Sequence, residues 1–157
     1  MNSIRSVWTY LLIFLIFFQG VSGLFGGLGL LTDPTGEQLQ MPLTFLEGTP
    51  FSNYIIPGLI LFLLLGVFPV LVGIGLFREP DWNWAERLNI YRDQHWAWTF
   101  ALYTAIALIV WIDVQIMMIG YGHFIQSFYA FLGVGILIVT LLPSVKRRYA
   151  RSPEKGQ

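Results

Sequence analysis

The 157-residue chain has no cysteine, only two histidines and few charged residues of either sign. The absence of cysteine excludes disulfides, thiolate metal sites and cysteine nucleophiles. Charged residues make up 11% of the chain, against roughly 25% in a soluble domain, which leaves too little polar surface for a soluble protein. The formal net charge is zero, so no nucleic-acid partner is expected.

The sequence instead contains four long runs of apolar residues. About 20 apolar residues are enough to cross the hydrocarbon core of a bilayer. We therefore predict an all-α polytopic membrane protein, one domain over residues 1–143, with four transmembrane helices in a bundle. The expected spans are 7–31, 53–77, 96–119 and 124–142. A basic tail, 144–157, follows them, and we expect it to be frayed.

The segments between the spans carry their own signals. Loop 32–52 contains turn residues and a short helix opened by Pro42, too short to cross a membrane. Loop 78–95 alternates apolar and charged residues at helical spacing, which predicts an amphipathic helix in the headgroup layer. Residues 1–23 also resemble a cleavable signal peptide, but the apolar run continues to Leu31, which favours an uncleaved first helix.

The basic residues predict the orientation. All nine Lys and Arg lie before the first span, in loop 78–95 or in the tail. Basic residues flank spans on the cytoplasmic side, so both termini are expected to be cytoplasmic in a multi-pass protein of the cell membrane. Five tryptophans fall at the same inner interface: Trp8, Trp82, Trp84, Trp96 and Trp98. Loop 32–52 would then lie outside.

The third run contains a carboxylate, Asp113, six residues before Ile119. That is about 9 Å inside the end of the helix. An ionised carboxylate there costs about 2.5–3.5 kcal/mol, so a partner group, water, a proton or a ligand must offset it. We expect Asp113 to face the bundle interior and to pair with Gln19 or a loop N–H. Its alternative interpretation is a buried, hydrogen-bonded strut.

Four further polar residues complete the candidate ligand-binding set. Gln115, about 200° around the helix from Asp113, is expected to face another helix or a second subunit. Gln19 lies near mid-membrane in the first span, and its simpler interpretation is a hydrogen bond to a neighbouring helix. Glu47 in loop 32–52 and Gln126 near the start of the fourth span are the two groups at the outer end that can join Asp113.

Several stretches resemble a known pattern. They are GGLGLLTDPTG (26–36), MPLTFLEGTPF (41–51), YIIPGLILF (54–62) and WIDVQ (111–115). Together they resemble small, mostly uncharacterised four-helix membrane proteins of bacteria, and the overall layout is distantly similar to DoxX-like membrane proteins. The resemblance implies family membership and a bacterial inner membrane, and it carries over no catalytic residues.

Three functions are consistent with these features. The first is binding or moving a lipid or small hydrophobic molecule in a pocket in the outer half of the membrane near Asp113. The second is a structural or accessory subunit that packs against its own copies or a larger membrane complex. The third is a membrane-embedded enzyme, for which we find no nucleophile, acid–base pair or cofactor ligand.

Geometry separates these hypotheses. A pocket requires Asp113, Gln19 and Glu47 to converge on a cavity. A subunit requires the polar side chains and glycine faces to be used up in helix contacts. Gly23 and Gly27, four residues apart in the first span, predict such a tight contact rather than a ligand groove. No metal site or cofactor is expected, because His95 and His123 lie at opposite ends of the third span and cannot share a metal.

Overall fold

The fold, seen in a computed structural model that describes residues 5–152, is a four-helix bundle. Four helices in this range are long and apolar enough to cross a membrane: Val7–Thr32, Ile55–Arg78, Trp96–Ile119 and Phe124–Leu141. We call them the first to fourth spans. They confirm the prediction of an all-α, multi-pass membrane protein. Between residues 5 and 152 the only β pairing is one isolated bridge, Gln94 to Ala150.

Successive spans are antiparallel neighbours in the bundle. The first packs on the second and the third on the fourth, and contacts between second and third and between first and fourth close the ring. Ser6 is the N-cap of the first span, and its hydroxyl accepts from Thr9 N at 3.3 Å. We call the end that carries residues 5–6, 79–95 and 142–152 the basic end. Which side of a membrane it faces stays a prediction.

The second span is irregular at its centre. It is α-helical over Ile55–Phe62, π-helical over Leu63–Val67 and α-helical again over Phe68–Arg78. Pro69 has no N–H to donate to the preceding turn. Single π turns of this kind widen the helix locally and leave backbone groups to be satisfied by other partners.

Glycines bring the first and second spans into backbone contact. A Cβ on Gly23 would lie 2.0 Å from Leu65 O, and one on Gly27 would lie 2.5 Å from Phe62 N. Neither position can hold a larger side chain without moving the helices apart. The tight contact predicted from the Gly23–Gly27 spacing is therefore confirmed.

The loops contain less helix than expected. Loop 33–54 holds two 3₁₀ helices, Glu37–Leu39 and Leu43–Leu46, the second directly after Pro42 as predicted. In loop 79–95 the expected amphipathic helix is only five residues long, Asn83–Arg87. A sharp turn at Gly120, whose φ of 77° suits glycine, leads from the third span to the fourth.

The expectation of a frayed tail is wrong for residues 144–152. Pro143–Arg148 form a helix, and Tyr149, which is buried, donates its hydroxyl to Leu76 O at 2.8 Å. Tyr149 O in turn accepts from His95 N at 2.8 Å. The tail is ordered by these contacts with residues far away in the chain, which a local pattern does not report. Residues 153–157 of the predicted tail lie outside the described range.

Candidate functional site

The five predicted site residues are placed separately in the fold. Gln19 and Gln126 are buried, Gln115 is partly buried, and Glu47 and Asp113 are exposed. No hydrogen bond within residues 5–152 joins any two of them. Among the described residues they do not form one hydrogen-bonded site.

Gln19 is used in a contact between spans. Its side chain is 2% exposed, and its Nε2 donates to Leu65 O at 3.1 Å. In a regular α-helix the carbonyl of residue 65 would accept from the N–H of residue 69, which is proline. The simpler interpretation of Gln19, a hydrogen bond to a neighbouring helix, is therefore confirmed.

Gln126 fastens the turn between the third and fourth spans. Its Oε1 accepts from Gly122 N at 2.9 Å and from His123 N at 3.4 Å. Its Nε2 donates to Gly120 O at 3.1 Å. These bonds form a capping box in which His123 is the N-cap and Gln126 is the third residue of the helix, N3. The three-residue spacing between His123 and Gln126 is visible in the sequence.

Asp113 lies on the outward side of the third span, and the expectation that it faces the interior and pairs with Gln19 is wrong. It is exposed and makes no hydrogen bond or ion pair within residues 5–152. The buried side of this helix is formed by apolar residues such as Ala105, Leu108 and Ile112. Because the third span itself carries apolar side chains on every side, the periodicity of its sequence did not identify its buried face.

The outward surface around Asp113 is otherwise apolar. It is formed by residues three or four apart along the helix, all exposed: Ile106, Val110, Asp113, Val114 and Met117. We call these five residues the Asp113 face. Gln115 lies outside it, and the roles predicted for Gln115 and Glu47 stay predictions.

No protein-family model, curated protein or solved structure matches this chain. The resemblance to DoxX-like proteins therefore stays a prediction based on the sequence stretches that suggested it. The bacterial inner membrane that this resemblance implies also stays a prediction.

A polar network at the basic end was missed in the sequence. Glu79, just after the second span, pairs with Arg5 at 3.4 Å and with Arg148 at 2.5 Å. One carboxylate therefore joins residues that precede the first span, follow the second and follow the fourth. The signal available was the concentration of both charge signs at this end, but their pairing depends on the tertiary fold.

A second carboxylate, Glu86, organises loop 79–95. It pairs with Arg151 and accepts from Asn89 Nδ2 at 3.2 Å. Asn89 is buried, and its Oδ1 accepts from the hydroxyl of Thr99 at 2.6 Å, inside the third span. The loop is thereby tied to both the third span and the tail.

His95 starts the third span and is buried between these groups. Its Nδ1 accepts from Ala97 N at 3.2 Å, as an N-cap does, so the neutral ring carries its proton on Nε2. Burial lowers the pKa of His95 below 6.5, and the nearby Glu86 opposes that shift. Within residues 5–152 no three His, Asp or Glu side chains form a metal-binding group. Together these contacts join the residues before the first span, loop 79–95, the start of the third span and the tail. We call this set of contacts the clasp.

Proposed function

We propose that this protein is a membrane-embedded subunit that works by binding another membrane protein through the Asp113 face. The observation that carries the proposal is a carboxylate exposed on an otherwise apolar span. Intramembrane acidic residues normally face a protein partner or water rather than lipid. A partner helix packed on this face would remove Asp113 from the lipid and give it a counterpart.

The charge distribution supports a different protein as that partner. All nine Lys and Arg lie before the first span, in residues 78–92 or after residue 145. A second copy of this chain therefore brings no Lys or Arg to the depth of Asp113. The partner we propose carries a Lys or an Arg within its own transmembrane helix.

The packing inside the bundle favours the subunit hypothesis over the ligand-pocket hypothesis. Gln19 and Gln126 are hydrogen-bonded to backbone groups, and Gly23 and Gly27 are covered by the second span. These are the side chains and glycine faces that a binding cavity would have used. Asp113, the one carboxylate within the four spans, is not used in this packing.

The test is photo-crosslinking in native membranes followed by mass spectrometry. A photoreactive residue at position 117, which is 84% exposed on the Asp113 face, should crosslink one membrane protein. The matched control is position 131 on the fourth span, which is 76% exposed. We expect Asp113→Leu to abolish the crosslink from position 117 and Glu47→Gln, an exposed carboxylate in the loop, to leave it intact.

The identity of the crosslinked species decides the proposal. A different protein with a Lys or an Arg in a transmembrane helix, captured only from position 117, supports it. Equal capture from positions 117 and 131, or lipid adducts alone, would overturn it. A small molecule that co-purifies stoichiometrically and is lost from Asp113→Asn would favour the ligand-binding hypothesis instead.

A further inference from the structure

A depression of about 250 Å³ lies at the basic end, where the fourth span runs into the helix Pro143–Arg148. The residues that line it are Gln94, Leu141, Pro143, Lys146, Arg147 and Ala150. Leu141 is the last residue of the fourth span, so the depression begins where the apolar helix ends. In a bilayer this is the level of the phospholipid headgroups.

Two cations of the depression are not engaged in the clasp. Arg148 and Arg151 pair with Glu79 and Glu86, whereas Lys146 and Arg147 are exposed and form no ion pair within residues 5–152. The ammonium of Lys146 lies 5.8 Å from the centre of the Trp98 ring. A cation–π contact of this kind holds the charge at the interface without neutralising it.

A buried acceptor lies beside these cations. Gln94 is 3% exposed, and its Nε2 donates to Asp93 Oδ2 at 3.2 Å, which fixes the orientation of the amide. Its Oε1 is buried and has no hydrogen-bond partner within residues 5–152. A buried oxygen of this kind is destabilising unless a donor reaches it.

From this combination we infer that the depression binds the headgroup of an anionic glycerophospholipid that carries a hydroxyl, such as phosphatidylglycerol. The phosphate lies between Lys146 and Arg147, and a small movement of the side chains that cover Gln94 Oε1 lets this oxygen accept from a headgroup hydroxyl. Basic pockets at the ends of transmembrane helices are suited to such headgroups. The depression lies at the basic end of the bundle, and Asp113 lies towards the other end. Lipid binding in the depression therefore does not depend on a partner at the Asp113 face.

The first test compares lipids on the unmodified protein in nanodiscs or by native mass spectrometry. Phosphatidylglycerol and phosphatidylmethanol carry the same charge, but only the former has headgroup hydroxyls. We expect phosphatidylglycerol to bind about fivefold tighter, as one added hydrogen bond allows, and phosphatidylcholine to bind more weakly than both. Equal affinity for the two anionic lipids would overturn the role of Gln94.

The second test removes the two cations. Lys146→Gln with Arg147→Gln should weaken phosphatidylglycerol binding roughly 25-fold, since each basic residue near an anionic headgroup contributes about fivefold. The matched control is Arg87→Gln with Arg92→Gln, which removes two exposed cations from the same end outside the depression. The control should retain nearly full affinity.

Three outcomes contradict the inference. Equal loss in the two double variants would mean that surface charge alone attracts the lipid. Displacement by millimolar glycerol phosphate would mean that the site binds a soluble phosphate compound and not a lipid. An unchanged affinity for phosphatidylglycerol in the Lys146 and Arg147 variant would exclude the depression as the binding site. If that variant fails to fold, the comparison of the two anionic lipids still decides the question.

Discussion

Gln19 donates its side-chain amide to the carbonyl oxygen of Leu65, 3.1 Å away on the neighbouring span. In the second span, proline at position 69 lacks the N–H that would otherwise serve this carbonyl in an α-helix. A side chain from one helix thus compensates for an irregularity in the next. A polar residue in the middle of a membrane helix can therefore serve the backbone of its neighbour.

Gln19→Leu should lower the free energy of unfolding by about 1 kcal/mol, the usual size of a hydrogen bond between membrane helices. Pro69→Ala restores a backbone donor, so the same change should cost less than half as much in that background. Unfolding in mixed micelles measures both values as a double-mutant cycle. Ser22→Ala, which removes a bond within the first span, is the control. An identical cost of Gln19→Leu in both backgrounds would contradict this account.

Gly23→Ala should destabilise the bundle by about 1–3 kcal/mol, the usual range for overpacking. The added Cβ would lie 2.0 Å from Leu65 O, which is backbone and cannot swing aside. Gly135 in the fourth span has nothing within 4 Å of its Cβ position, so Gly135→Ala should be neutral or slightly stabilising. Thermal unfolding in detergent compares the pair. A similar loss for both would mean that the contact with Leu65 does not set the cost of Gly23→Ala, since alanine itself favours the helix.

Acidification should destabilise the basic end through His95. Burial lowers its pKa in the folded protein below 6.5, so near pH 6 the unfolded chain binds more protons than the folded one. Stability therefore falls as the pH is lowered below about 6.5. Protonation also removes the Nδ1 acceptor that caps Ala97 N.

The matched variant for His95 is His95→Ser, since serine is a good N-cap and does not titrate. Melting temperatures measured between pH 7.5 and 5.5 should fall in the native protein and change less in the variant. The same slope in both proteins would show that other groups control the acid response. Hydrogen exchange at Ala97 N provides a local readout.

Gln126→Leu should cost about 0.5–1.5 kcal/mol, because it removes the hydrogen bonds that Gln126 makes with the N–H of Gly122 and the carbonyl of Gly120. Gln126→Glu keeps the acceptor and should cost less. Gln115→Leu, at a residue with no hydrogen bond within residues 5–152, should change stability little. Chemical unfolding ranks the three variants. A neutral Gln126→Leu would remove the structural role and favour a ligand role.

The four spans were predictable from the sequence because the lipid bilayer restricts which backbone structures can cross it. A bilayer cannot hydrogen-bond backbone groups, so long apolar runs must be helical, and their lengths mark where they enter and leave. Proline and glycine gave further local information. Pro42 marked a short helix in the loop, and Gly23 with Gly27 marked the face of the first span that meets the second.

The direction of each polar side chain was decided by tertiary packing. When a helix is apolar on every side, periodicity does not say which face is buried, and Asp113 was assigned to the wrong one. Glu79 and Tyr149 show the same limit, since their partners Arg5 and Leu76 are more than 70 residues away. Composition and run length determine where a membrane chain is helical. Contacts between distant residues determine which polar groups are used in packing and which, like Asp113, remain exposed.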